Sequence, residues 1–233
     1  MSDRLGGAVV RKPLHFIFVL DVSGSMNRDG RIQALNHAMA EVIPHLRDEA
    51  RHNPHSELMV RVLAFANTAE WIVEQPTPID DFHWHRVEAV PRGFTELGKA
   101  LRVLAKALQD LDEKPGGFPP AIILVSDGRP THTSGVSFTD GLQELVSQRW
   151  GAAAVRLALG VGKDTDLNSL RRFIGHEDIP LLRADNPEQL VDYIVWASKA
   201  ASRVASMPVV GAGRDALSPP PTPAGDPIWS TLQ

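Results

Sequence analysis

The stretch "LHFIFVLDVSGSM", Leu14 to Met26, decides the fold. Leu14–Leu20 is bulky, nearly continuous in apolar character and too short for a helix. It therefore reads as a strand buried on both faces. The run stops abruptly at Asp21, and Ser23 and Ser25 follow at alternate positions with Gly24 between them. A carboxylate and two hydroxyls spaced this way, just past a buried strand, allow three readings: a turn, a nucleophile or a metal site.

The chain around this stretch alternates between strand and helix patterns. Ile32, Leu35, Met39, Val42, Ile43 and Leu46 recur at helical spacing, with Pro44 expected to kink or break that helix near its end. Leu58–Phe65 reads as a second apolar strand and Glu70–Glu74 as its hairpin partner. A long irregular connection, "PTPIDDFHWHRVEAVPRGF", leads to a helix predicted to open at Thr95. That helix carries a stripe of Leu97, Leu101, Leu104, Leu108 and Leu111. Ala121–Val125 is another strand stopping near an aspartate, Asp127. Then come a helix over Ser137–Trp150, a strand in "AVRLALGVG", a helix over Leu167–Ile174 and a short strand over Pro180–Arg183. The last helix is capped by Asn186, with Pro187 at its first position.

This order predicts an α/β, doubly wound three-layer sandwich. Its central sheet is mostly parallel, with one antiparallel edge strand. Residues 1–12 read as an N-terminal extension, 13–205 as the folded domain and 206–233 as a proline-rich tail that should not fold. The tail includes "SPPPTPAGDP". In doubly wound sheets ligands bind outside the carboxyl ends of the strands, and Asp21 and Asp127 both lie there.

Composition narrows the classes of function. The net charge of -4 over 233 residues leaves no electrostatic footprint for nucleic acid or an anionic membrane. There are no cysteines, which excludes disulfides, thiolate metal sites and cysteine nucleophiles. The apolar run before Asp21 is too short for a signal peptide, and no segment approaches a membrane span, so the expected location is cytoplasmic.

A metal site makes physical sense of "DVSGS". Alternate positions can turn the oxygens of Asp21, Ser23 and Ser25 toward one point, and Gly24 permits the tight backbone. Oxygen-only donors select a hard cation, and two hydroxyls with few carboxylates suit Mg²⁺ or Mn²⁺. Further donors are available from Thr95 in "GFTELG" and Asp127 in "VSDGRPT".

These pieces, in this order, resemble the metal-ion-dependent adhesion site (MIDAS) of von Willebrand factor A domains. The D-x-S-x-S pattern falls on Asp21, Ser23 and Ser25, the lone threonine on Thr95 and the later aspartate on Asp127. The resemblance covers about residues 13–205. Within the family the chain looks similar to bacterial tellurium-resistance (TerY-type) proteins, in "IQALNHAMAEVIPHLR" and "ELMVRVLAFANTAEW". It implies a non-enzymatic protein-binding module. The serine and threonine hydroxyls would ligate the ion directly, the aspartates often act through waters, and an acidic side chain of a partner would complete the coordination. The TerY-type likeness further implies a serine/threonine kinase and a PPM-type phosphatase as partners. The fold family also includes subunits of chelatase or AAA-ATPase complexes. Phe94 stands where many relatives have glycine, and His132 where relatives often have aspartate. With Arg129 they form the expected partner-binding rim.

Blander readings compete at each position. Asp21, Ser23 and Ser25 could form only an Asx turn, Thr95 only a helix cap, and Asp127-Gly128 only a turn. His83-Trp84-His85 lacks a third ligand at suitable spacing and reads as surface loop. A nucleophilic serine is disfavoured because the chain has no G-x-S-x-G elbow and no S-x-x-K at Ser23. A metal-dependent hydrolase would need a general base, for which His132 is the best candidate.

Overall fold

A computed structural model describes residues 11–112, 117–131, 133, 135–163 and 165–206. Six strands form one sheet: β1 (Lys12–Asp21), β2 (Ser56–Phe65), β3 (Ala69–Pro78), β4 (Ala121–Ser126), β5 (Val155–Val161) and β6 (Leu182–Ala184). Their order across the sheet is β3-β2-β1-β4-β5-β6. All neighbours are parallel except β2 and β3, which form the antiparallel edge hairpin. The expected architecture is therefore the observed one.

The central strands are buried on both faces, as their unbroken apolar character requires. β1 is buried from Leu14 to Asp21 and β4 throughout. β3 instead alternates between half-buried and exposed residues, as suits an edge strand with one wet face.

Helices cover the sheet: α1 (Arg31–His52), α2 (Leu97–Asp112), α3 (Phe138–Ser147), α4 (Arg149–Ala153), α5 (Leu167–Ile174) and α6 (Pro187–Ser206). α1 packs on α6, and α2 packs on α3 and α4. The α2–α3 contact is unusually close. A Cβ on Gly98 would stand 2.4 Å from the Ser137 carbonyl oxygen, and one on Gly141 would stand 2.3 Å from the Gly98 oxygen. Only glycine lets the two backbones meet this way, and the contact fixes where the start of α2 sits. Asn186 caps α6 as expected, its Oδ1 accepting the Gln189 N–H at 2.9 Å. Among the described residues no helix is long and apolar enough to cross a membrane.

Four local expectations are corrected. α1 runs on through Pro44 to His52. Pro44 and Ala40, whose carbonyl loses its usual donor, are both exposed to water, while Ile43 and Leu46 bind the helix to the core. The expected single helix over Ser137–Trp150 breaks at Gln148, which is extended (φ -76°, ψ 141°). There the Ser147 hydroxyl donates to the Glu144 carbonyl at 2.7 Å and competes with the helical ladder. α2 starts at Leu97, so Thr95 lies in the preceding loop. The short strand is Leu182–Ala184, shifted from Pro180–Arg183.

The long connection after β3 is irregular but tied down. Asn36 of α1 donates to the Val87 carbonyl at 2.8 Å and accepts the Val87 N–H at 2.9 Å. Arg47 donates to the carbonyls of Ile79 at 3.2 Å and Phe82 at 2.9 Å. These side chains hold the loop along α1 as it returns to the carboxyl edge of the sheet, where the Val90 N–H donates to the Val22 carbonyl at 2.7 Å. The proline-rich tail from 207 onward lies outside the described residues.

Candidate metal centre

Strand order reverses between β1 and β4: the chain leaves β1 toward one edge and β4 toward the other. The carboxyl ends of these two strands therefore form the crevice where a doubly wound sheet binds its ligands. Asp21 is the last residue of β1, and Asp127 directly follows β4.

Asp21 is fully buried. Its Oδ1 accepts the Ser23 N–H at 2.8 Å, and its Oδ2 accepts the Ser126 hydroxyl at 2.6 Å. Burial pushes its pKa up to about 6, and the hydrogen bonds from Ser126 and Ser23 only partly offset that. The backbone then turns into a 3₁₀ segment over Gly24–Gly30. Gly24 is required here by close approach: a Cβ would stand 3.0 Å from the backbone nitrogens of Arg92 and Gly93.

The turn brings the two serine hydroxyls within 3.0 Å of each other. Ser25 Oγ donates onward to Asp127 Oδ1 at 2.7 Å, across 102 residues of sequence. Thr95 arrives from the loop before α2, buried at the same place. A Cβ placed on Gly128 would lie 3.1 Å from Thr95 Oγ1 and 3.6 Å from Ser25 Oγ, so both hydroxyls face that side of the 127–131 loop. The fold thus brings together all five residues singled out in the sequence.

The loops are also tied to one another. Thr131 Oγ1 accepts the Thr95 N–H at 2.9 Å, and the Thr131 N–H donates to the Thr95 carbonyl at 2.8 Å. Glu96 is buried, and its Oε1 accepts both the N–H (2.7 Å) and the hydroxyl of Thr133. Burial pushes the Glu96 carboxyl up, but the Thr133 bonds and Lys99 outweigh it and hold the pKa below the ordinary value.

Three contributors were missed by sequence reasoning. Ser126, which anchors Asp21, and Thr131, which anchors Thr95, sit beside named residues but give no periodic signal. The third is Arg31. Its Nη1 donates to Asp127 Oδ2 at 2.7 Å, and both side chains are buried. A signal for it existed: a cation in the first turn of a helix opposes the helix dipole and calls for a local anion.

Two of the three expected rim residues are described, and both are exposed. Phe94 is 51% exposed beside Thr95, and Arg129 is exposed two residues beyond Asp127. His132 lies outside the described residues. His83 is on an exposed loop with its Nδ1 2.9 Å from the Asp81 carbonyl oxygen. Among the described residues no group of three or more histidine or acidic side chains is placed to hold a metal.

The donor chemistry of the crevice fits a hard divalent cation. It offers two carboxylates and three hydroxyls, all oxygen, with no nitrogen or sulfur ligand. Arg31 is the one element that such a site would not need.

The comparisons with known proteins agree with this architecture. Residues 16–129 match the family model described as the von Willebrand factor type A domain. Among solved structures, a von Willebrand factor type A protein from Catenulispora acidiphila is similar at TM-score 0.61 and 16% identity, over 81% of this chain and 42% of that one. The ArnB paralog VWA2 from Sulfolobus acidocaldarius matches at TM-score 0.52 and 19% identity, over 79% and 45%. The pilus adhesin SpaC from Lactobacillus rhamnosus GG matches at TM-score 0.63 and 14% identity, over 83% and 31%. The chain spans less than half the length of each of these three. No curated protein matches its sequence. The fold is therefore that of a von Willebrand factor A domain.

Proposed function

We propose that this chain is a non-enzymatic, metal-dependent protein-binding module. Asp21, Ser23, Ser25, Thr95 and Asp127 would hold a Mg²⁺ or Mn²⁺ ion, and the ion would supply an electrophilic position for an acidic side chain of a protein partner. The observation that carries this reading is the hydroxyl–carboxylate chain from Ser23 through Ser25 to Asp127, assembled from two strand ends and flanked by Thr95. Three hydroxyls and two carboxylates neutralise a dication at most, so the ion would keep its attraction for an outside anion.

The rim supports the same reading. Arg129 and Arg92 are exposed on loops bordering the crevice, and Phe94 adds an exposed aromatic. A carboxylate desolvated between an ion and an aromatic is the kind of contact that dominates a binding interface. The proposed setting is a cytoplasmic scaffold in a bacterial stress or tellurium-resistance system, with a serine/threonine kinase and a PPM-type phosphatase as partners. It rests on the TerY-type resemblance.

The test is calorimetric titration of Mg²⁺ and Mn²⁺ into the wild-type chain, Asp21→Ala and Ser25→Ala, followed by co-purification with and without chelator. The expected result is saturable binding lost in both variants, and partners retained only with the ion. Partners that stay bound regardless of chelator and mutation would sink the proposal. Co-purification with an AAA-type ATPase would instead favour the chelatase-subunit reading.

A further inference from the structure

Arg31 opens α1, yet its side chain is only 8% exposed, and its Nη1 reaches Asp127 Oδ2 at 2.7 Å. Asp127 Oδ1 is engaged by Ser25. Both oxygens of one proposed metal ligand are therefore committed within the protein, one of them to a permanent cation. The position is built. Gly162 adopts φ +83°, and a Cβ there would stand 2.9 Å from the guanidinium carbon and Nη2 of Arg31, so the guanidinium lies across a glycine.

The same side chain has a second anion within reach. Its Nη2 is 3.6 Å from Asp29 Oδ2, whose side chain is 82% exposed. A cleft of about 420 Å³, lined by Asp29, Arg31, Gly162, Lys163 and Asp185 among others, opens beside it. The guanidinium thus stands between a buried carboxylate at the crevice and an exposed one at the cleft.

Resting on the metal-site reading above, we propose that Arg31 is a built-in competitor of the divalent ion. It neutralises Asp127 and passes to Asp29 when the ion takes Asp127, and so sets the affinity of the site. The charges support this. Asp21 ionised, Asp127 and Arg31 sum to one negative charge, so a dication arriving at Asp127 is opposed by a like charge that is largely withdrawn from solvent. With the ion seated, two carboxylates, one guanidinium and the dication leave one net positive charge. That remainder favours a carboxylate from outside the chain.

The experiment is calorimetric titration of Mg²⁺ alone and Mn²⁺ alone into the full chain and three variants. Arg31→Gln should bind the ion about tenfold tighter, because the opposing charge is gone. Arg31→Lys should stay within about threefold of wild type, because a lysine keeps the charge while losing the planar fork. Asp29→Asn should bind about threefold weaker, because the displaced guanidinium loses its second carboxylate. Asn tolerates the left-handed backbone at this exposed position (φ 51°), so this variant folds even if a buried Arg31 substitution does not.

Opposite signs for Arg31→Gln and Asp29→Asn are the expected signature. Arg31→Gln binding the ion equally or more weakly, or Asp29→Asn binding unchanged, would overturn the competitor role while leaving a wild-type metal site standing. A wild-type chain that binds neither ion removes the metal reading itself, and this inference with it.

Discussion

The ends of β1 and β4 are the same device built twice. Each carries a buried apolar run, Leu14–Leu20 in β1 and Ala121–Val125 in β4, and meets an aspartate at its carboxyl end, Asp21 as the last residue of β1 and Asp127 directly after β4. Their electrostatic surroundings differ. Asp21 is held by neutral donors, the Ser23 N–H and the Ser126 hydroxyl, and burial raises its pKa to about 6. Asp127 is held by a guanidinium and a hydroxyl. A buried carboxylate with a cationic partner is a different object from one without. The crevice therefore has one acid that resists ionisation and one that has already been neutralised by a neighbour.

The largest effect expected from this difference is in Asp127→Asn. It leaves Arg31 almost fully buried without its main anion, and Asp29 only 3.6 Å away on the solvent side. Removing one partner of a buried ion pair should cost about 3 kcal/mol. Urea denaturation at pH 7 with divalent ions chelated measures this. A loss under about 1 kcal/mol would mean that Asp29 already suffices and that the two strand ends are alike after all.

Asp21→Asn should do the opposite. Its folded pKa of about 6 lies above the ordinary value of 3.8, so the folded state binds the proton more readily. Below pH 3.8 the carboxyl is neutral in both states and contributes nothing. Between pH 3.8 and 6 the unfolded chain ionises first, and folding loses stability with each step. Above pH 6 the loss is constant, on the order of 1–3 kcal/mol. With divalent ions chelated, the asparagine variant should match wild type near pH 4 and exceed it by about that amount at pH 7. The two variants together thus carry opposite signs at neutral pH. Equal signs would break the contrast between Asp21 and Asp127.

How much of this was legible in the sequence follows from the kind of signal each part leaves. β1 and β4 were readable because burial on both faces writes a continuous apolar run. α2 was readable because its leucines repeat at helical spacing. Asp21, Ser23, Ser25 and Asp127 were readable because they sit at or just past strand ends that topology brings to one edge, and Thr95 because it shortly precedes the leucine stripe of α2. Pro44 misled because its effect depends on whether the freed Ala40 carbonyl faces water, and a tertiary arrangement decides that. The Ser137–Trp150 helix misled because its apolar pattern runs across the Ser147 hydroxyl that ends α3. The position of Arg31 in the first turn of α1 hinted at an anion, but which anion it pairs with, and which residue Thr131 holds, were not readable for a simpler reason. Each acts on a residue far away in sequence, Asp127 at 96 positions and Thr95 at 36, and no local pattern records such a pairing.

The smallest effect tests whether Asp127 and Thr95 are held as one unit. Thr131 belongs to the loop that carries Asp127, and its hydroxyl accepts the Thr95 N–H at 2.9 Å. Thr131→Val keeps the shape and removes the acceptor, leaving a partly buried N–H without its partner. The stability cost should be about 1 kcal/mol, because only one neutral hydrogen bond is lost. Thr131→Ser should recover most of it, since the hydroxyl alone makes the bond. The informative readout is Mg²⁺ binding. If the Asp127 loop positions Thr95, the valine variant should bind the ion several-fold more weakly than so small a stability change would suggest, and the serine variant should restore it. Weakened folding with unchanged ion binding would show that Thr95 is positioned from α2 alone, through the Gly98–Gly141 contact, and that the two sides of the crevice are set independently.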